Sequence, residues 1–135
     1  MNSIERAHLS LQGLSVGDAL GETFYRPNPE AMSTIARREI PQGPWSYTDD
    51  TQMALSVVEA LQSDGHIDSA KLSHAFAKRF DVQRGYGQGT AQILQAVAAG
   101  GNAQQIAAAS HGGEGSHGNG AAMRVAPLGA FFADN

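Results

Sequence analysis

The chain has 135 residues, 41% hydrophobic and 16% charged, with nine basic and thirteen acidic side chains and a net charge of −4. That suits one globular domain with a core of useful size, and it is not basic enough to track a nucleic-acid backbone. With no cysteine, disulfides, thiolate metal sites and cysteine nucleophiles are excluded; the N-terminus lacks a secretory pattern and no apolar run approaches the roughly 18 to 20 residues of a membrane helix, so a cytoplasmic location without a membrane partner is expected.

In chain order, Asn2 can cap a first helix, with Glu5 at capping-box spacing. Ile4, Ala7, Leu11 and Leu14 follow at helical spacing, and Leu20 continues the apolar character. Gly13, Gly17 and Gly21 fall four residues apart along one side, a stripe that permits close approach of another backbone. Residues 26–47 hold four of the five prolines and read as an irregular loop. A second helix begins near Asp49, with Met53, Ala54, Val57, Val58 and Leu61 as its apolar stripe and Gly65 as its stop. Asp68 caps a third, with Ile67 and Leu72 in staple positions and Leu72, Ala75, Phe76 and Phe80 as the buried face.

A fourth helix covers about Thr90 to Ala99, with Ile93, Leu94 and Val97 inward and Gly100 at its end. A short fifth follows Asn102. The glycine-rich loop 111–120 leads into a sixth, "AAMRVAPLGAFF", which Pro127 should kink or divide. No segment has a strand period, so the predicted class is all-α, about six helices in an orthogonal bundle. Residues 85–113 contain no Asp, Glu, Lys or Arg. A free-standing helical surface normally carries charge. Two readings stay open: a Gln-rich surface, or a face that packs against something outside this chain.

Two segments can carry chemistry. In "WSYTDDTQMAL" the adjacent Asp49 and Asp50 stand at a helix start. Carboxylates there interact well with exposed N–H groups and the helix dipole. A cap explains one acid easily and two less well, because they repel each other unless a cation lies between them. Carboxylate and hydroxyl oxygens together suit Mg²⁺ or a similar hard ion. In "GSHGNGAAMR", Gly, Ser, His and Asn precede a helix, and the backbone N–H groups of such a loop can cradle phosphate oxygens. The alternative is a flexible linker. "RGYGQGT" adds a second glycine loop, whose Tyr86 either stacks on a ligand ring or plugs the core. His66, His74, His111 and His117 match no metal-ligand spacing.

Taken together, "GLSVGDALGETF", "YTDDTQMAL" and "GNGAAMRVAPLGAFF", with "RGYGQGT" between the last two, resemble the ADP-ribosylglycohydrolase family. The resemblance implies an all-helical fold holding two metal ions, usually Mg²⁺ and in some members Mn²⁺. It implies hydrolysis of the bond between ADP-ribose and a protein side chain or other acceptor. Carried over by position, Thr48, Asp49 and Asp50 are expected metal ligands. Gly115, Ser116, His117, Gly118, Asn119 and Gly120 are expected to hold diphosphate and ribose. Gly85, Tyr86 and Gly87 are expected along the adenosine side, and Asp18 behind the site. Many relatives carry a gating or catalytic acid soon after "GDALG". Glu22 is assigned that role, with Glu30 the other candidate, and Asp50 is the second catalytic carboxylate.

The family is about twice this length, and its second half brings an Asp-x-Asp-Thr motif with further metal ligands. No Asp-x-Asp occurs here. Residues 1–135 are therefore expected to form the N-terminal part of the domain, with the C-terminal part absent and the hydrolase incomplete or inactive as it stands. The alternative is a non-catalytic ADP-ribose-binding or assembly module. Expected partners are an ADP-ribosylated protein or a small ADP-ribose conjugate. Cover by the missing half or by self-association is expected over residues 85–113 and over Phe131 and Phe132, since large apolar patches rarely stay bare.

Overall fold

A computed structural model describes residues 1–25 and 28–134. It contains the helices α1 (Ser3–Tyr25), α2 (Ala31–Arg37), α3 (Asp49–Asp64), α4 (Ser69–Arg79), α5 (Gln88–Ala98), α6 (Ala103–Ala109) and α7 (Ala126–Phe131). Single 3₁₀ turns lie at Val82–Arg84, Ser110–Gly113 and Ala122–Arg124. No strand occurs among the described residues, so the fold is all-α.

The capping box at Asn2 forms: the Asn2 amide donates to Glu5 Oε2 at 2.8 Å and the Glu5 amide to Asn2 Oδ1 at 2.9 Å. Two orphan donors of the first turn are thereby satisfied. Apolar residues surround α1. Ala7 and Leu11 are buried, while Leu9 and Val16 are 57% and 58% exposed. The covered face packs on α7 and α3. Arg6 secures α7 there, donating from Nε to the Ala130 carbonyl at 2.9 Å and pairing with Asp134 at 2.8 Å.

The central element is α3. Met53, Ala54, Val57, Val58 and Leu61 are buried, as the spacing predicts. Gly65 ends the helix at φ 69°, where glycine pays no Cβ penalty, and its N–H reaches the Leu61 carbonyl. Asp68 caps α4, Oδ1 accepting from the Ala70 and Lys71 amides at 2.9 Å each. Phe76 is buried, and Ile67, Leu72 and Phe80 pack around it and α3 as partly buried residues. Leu94 and Val97 of α5 close that cluster's side of the core.

The structure departs from the sequence reading at four places. Residues 31–37, read as loop, form α2. Pro29 and Pro41 flank this segment and do not interrupt it, and the helix is too short to show an apolar period; Arg26 and Pro27 of the same loop lie outside the described residues. The fourth helix starts at Gln88, not Thr90, with Gly87 at its N-cap. The sixth is divided more completely than a kink: a 3₁₀ turn ends at Arg124, and Pro127 stands in the first turn of α7, where its missing N–H is harmless. Phe131 finds part of its cover inside the chain. It packs against both core clusters, and the more exposed Phe132 meets its ring edge-on at 4.8 Å.

Candidate active site

The start of α3 abuts the middle of α1 at Asp18. Asp18 Oδ2 accepts from the Thr48 amide at 2.8 Å, the Thr51 amide at 3.2 Å and the Thr51 hydroxyl at 2.6 Å. Its Oδ1 accepts from the Thr48 hydroxyl at 2.7 Å. The α3 N-terminus is thus capped by a carboxylate from another helix, with Thr48 at the N-cap position. This bears on the choice left open for the adjacent acids. Asp18 and Thr48 already fill the capping role, and the Asp49 and Asp50 carboxylates line a cavity.

That cavity has a volume of about 690 Å³, and its wall carries four acids, Asp18, Glu22, Asp49 and Asp50, together with Thr48. Burial pushes the Asp49 carboxyl above its ordinary value, and the Asp50 charge adds to it. Burial likewise raises Asp50, with the Asp18 charge next. Gly17 and Gly21 of the glycine stripe also line this space. No atom stands within 4 Å of a Cβ built on Gly13, Gly17 or Gly21. Among the described residues no second backbone approaches the stripe; Gly17 and Gly21 leave open space in the cavity. Of the two candidate gating acids, Glu22 is in the wall, while Glu30 is exposed at the start of α2.

A second cavity of about 680 Å³ lies between α3, α4, α5 and the glycine loop, with Ile67, Leu72, Phe76, Ile93, Leu94 and Val97 as its apolar wall. Ser116, Gly118, Asn119 and Gly120 contribute its loop side. Asp49, Gly87, Asn119 and Met123 belong to both cavities, so the two adjoin. Gly85 lines the acidic cavity. Gly115 and His117 line neither and lie exposed on the loop. Gly115 supplies a φ of 85°, and the Gly118 amide donates to Ser116 Oγ at 3.0 Å, which folds the loop tightly.

Tyr86 turns inward. Its hydroxyl donates to Gln52 Oε1 at 2.8 Å, and its ring meets Phe80 edge-on at 4.8 Å. Burial, with the Asp49 charge next, pushes the phenol up from 10.0 to about 12. Because the folded value lies above the unfolded one, the stability tied to the neutral phenol is lost as pH rises through that interval. Alkaline titration followed by circular dichroism should therefore show weakening between pH 10 and about 12. Tyr86→Phe should flatten that slope at some cost in stability at neutral pH.

Two arginines escaped the reading from sequence. Arg84 donates from Nη1 to the Tyr47 carbonyl at 3.0 Å and covers the Tyr47 ring at 3.8 Å, tying the second glycine loop to the segment that enters Thr48. Arg124 lines the second cavity, and burial pulls its guanidinium below its ordinary value. Their only signal was position, each beside a glycine loop.

Whether a cation fits depends on donor chemistry. Thr48, Asp49 and Asp50 offer hard oxygens, the donor type that Mg²⁺ takes. No group of three or more His, Asp or Glu side chains among the described residues is spaced to hold an ion by itself. The fit is to part of a coordination shell. No described helix is long and apolar enough to cross a membrane.

The family model for ADP-ribosylglycohydrolase matches residues 1–135. The chain is similar to ADP-ribosylhydrolase ARH3 of Homo sapiens, 32% identical over 146 residues, covering 93% of this chain and 39% of that protein. The Danio rerio protein of the same name is 31% identical, covering 96% and 38%. The ADP-ribosyl-[dinitrogen reductase] glycohydrolase of Rhodospirillum rubrum is 31% identical, covering 91% and 43%. The chain thus spans about two fifths of the length of the curated relatives it matches. The match of the family model over its whole length, on an all-helical scaffold, shows that the chain belongs to the ADP-ribosylglycohydrolase family.

Proposed function

We propose that the chain is the N-terminal part of a metal-dependent hydrolase that removes ADP-ribose from a modified protein side chain or a small conjugate. The observation that carries this reading is the Asp18 cap on α3, which leaves Asp49 and Asp50 to line the same cavity as Asn119 of the glycine loop. The names of the relatives support the reaction class.

Thr48, Asp49 and Asp50 would hold Mg²⁺, or Mn²⁺ in its place, as donors to one or both of two ions. A bound cation would supply Lewis acidity toward the ribose oxygens. Asp18 fixes the Thr48 backbone and hydroxyl, so the donors are positioned before ligand arrives. Glu22 and Asp50 are the carboxylates in the cavity wall suited to accept a proton from an attacking water. Ser116, Gly118, Asn119 and Gly120 would orient diphosphate and ribose. Gly85 and Gly87 would leave room beside them. Tyr86 acts from behind, as a packed support.

Because these donors fill only part of an octahedral shell, and Mg²⁺ gives up water reluctantly, calorimetric titration of the chain alone should show weak Mg²⁺ binding. Micromolar, stoichiometric affinity would contradict the incomplete site. ADP-ribose titrated into labelled chain should perturb amide resonances at 48–50, 85–87 and 116–120. A ligand that leaves all three segments unmoved at millimolar concentration sinks the proposed site. ADP-ribose release should be slow or absent until a further part of the protein, or a second copy, completes the shell. Binding that never leads to release in the completed protein would make it an ADP-ribose-binding module.

A further inference from the structure

Arg124 ends the 3₁₀ turn that follows the glycine loop, and its guanidinium has unusual company. Nη1 lies 3.2 Å from Met53 Sδ, and the guanidinium carbon stands 4.7 Å from the Phe76 ring centroid. A thioether is a weak acceptor, and a ring face attracts the cation without satisfying its in-plane N–H groups. Among the described residues the ion pairs engage Arg6, Arg37, Lys71, Arg79 and Arg84, but not Arg124. A largely buried cation without an anion is unfavourable. A side chain needed only to fill the space between Met53 and Phe76 would be better as methionine or leucine.

The remaining donors of Arg124 are not sealed in the core. The one fully buried side-chain nitrogen or oxygen without a hydrogen bond among the described residues is Arg84 Nε, which still lies 3.8 Å from Asp81 Oδ2. Arg124 lines the second cavity, in company with the hydroxyl-bearing Ser69, Ser73, Thr90 and Ser116. The sole carboxylate of that wall among the described residues is Asp49, which also belongs to the acidic cavity. A forked cation with in-plane donors to spare, among hydroxyls, matches the oxygens of a phosphate group.

We propose that Arg124 is an oxyanion ligand of the second cavity, taking two oxygens of a phosphate or diphosphate ester, with Phe76 and Met53 holding the plane of the fork. The identification of that ester with the diphosphate of an ADP-ribose conjugate rests on the function proposed above; the anion site does not.

Inorganic pyrophosphate in metal-free buffer tests the site alone. At saturation it should raise the melting temperature of the unaltered chain by about 4 °C. Arg124→Met should melt at or above the unaltered chain, because an unpaired charge is gone, and should lose the pyrophosphate shift. Arg124→Lys keeps the charge without the fork and should retain less than half of it. The proposal is overturned if pyrophosphate leaves the unaltered chain unmoved, or if Arg124→Met keeps the full shift. It is also overturned if Arg124→Met melts well below the unaltered chain or fails to fold, since the arginine is then structural. ADP-ribose forms a separate arm. A pyrophosphate shift without an ADP-ribose shift upholds the anion site and removes the function proposed above. Equal ADP-ribose shifts in the unaltered chain and Arg124→Met uphold the function proposed above and show that Arg124 does not take the diphosphate of that ligand.

Discussion

Asp18→Ala should lower the melting temperature of the chain by about 10 °C, from a loss of about 3 kcal/mol. The Asp18 carboxylate accepts four hydrogen bonds, two from amides at the α3 N-terminus and two from the Thr48 and Thr51 hydroxyls. Bonds to a charged acceptor are each worth more than neutral ones, and the amides sit where the helix dipole favours negative charge. Alanine removes all four acceptor contacts and leaves Thr51, a buried residue, without its partner. Loss of the like charge beside Asp50 gives back a smaller, solvent-screened amount. Asp18→Asn keeps one oxygen for the amides and should lose about half as much. Thermal melts of the two variants would check both the size and the order. A loss within 1 °C for alanine would mean that α3 starts without this contact, and the account of how Thr48 and Asp49 are placed would fail with it.

Asp18 also shows where the sequence stopped being legible. Local signals were readable because their causes are local. The capping boxes and caps at Asn2 and Asp68 and the stop at Gly65 appear at the expected residues. The α3 stripe is buried because its spacing matches one helical face. The motifs of the candidate site were legible as a family pattern. What joins them was not. That a carboxylate thirty residues upstream caps α3, or that Arg84 closes on Tyr47, depends on how helices cross, and no periodicity encodes it. The glycine stripe illustrates the same gap. Four-residue spacing makes a smooth face, but only packing decides whether a backbone or an open cavity lies against it. Tyr86 left two readings open, and the Gln52 and Phe80 contacts place its side chain in the packing.

The second large effect runs in opposite directions for stability and function. Asp49→Asn and Asp50→Asn should each stabilise the metal-free chain at neutral pH. Both carboxyls are raised above 3.8, first by burial and then by neighbouring aspartate charge. A raised acid binds its proton more tightly when folded, so its contribution is most favourable below the unfolded value and is lost as pH rises through the folded value. The amide does not titrate and avoids that loss. Both groups are partly exposed, so the gain is reduced by solvent screening. Added Mg²⁺ should raise the melting temperature of the unaltered chain more at neutral pH than near pH 4, and should move the variants little. In the completed hydrolase the same substitutions should cut ADP-ribose release by about 100-fold or more, the scale on which disturbed metal sites lose activity. The paired measurement separates the two roles open to these acids. Residues that merely cap a helix would lower stability when neutralised and leave the response to Mg²⁺ unchanged. A chain that grows more stable while losing that response has kept two repelling carboxylates for a cation.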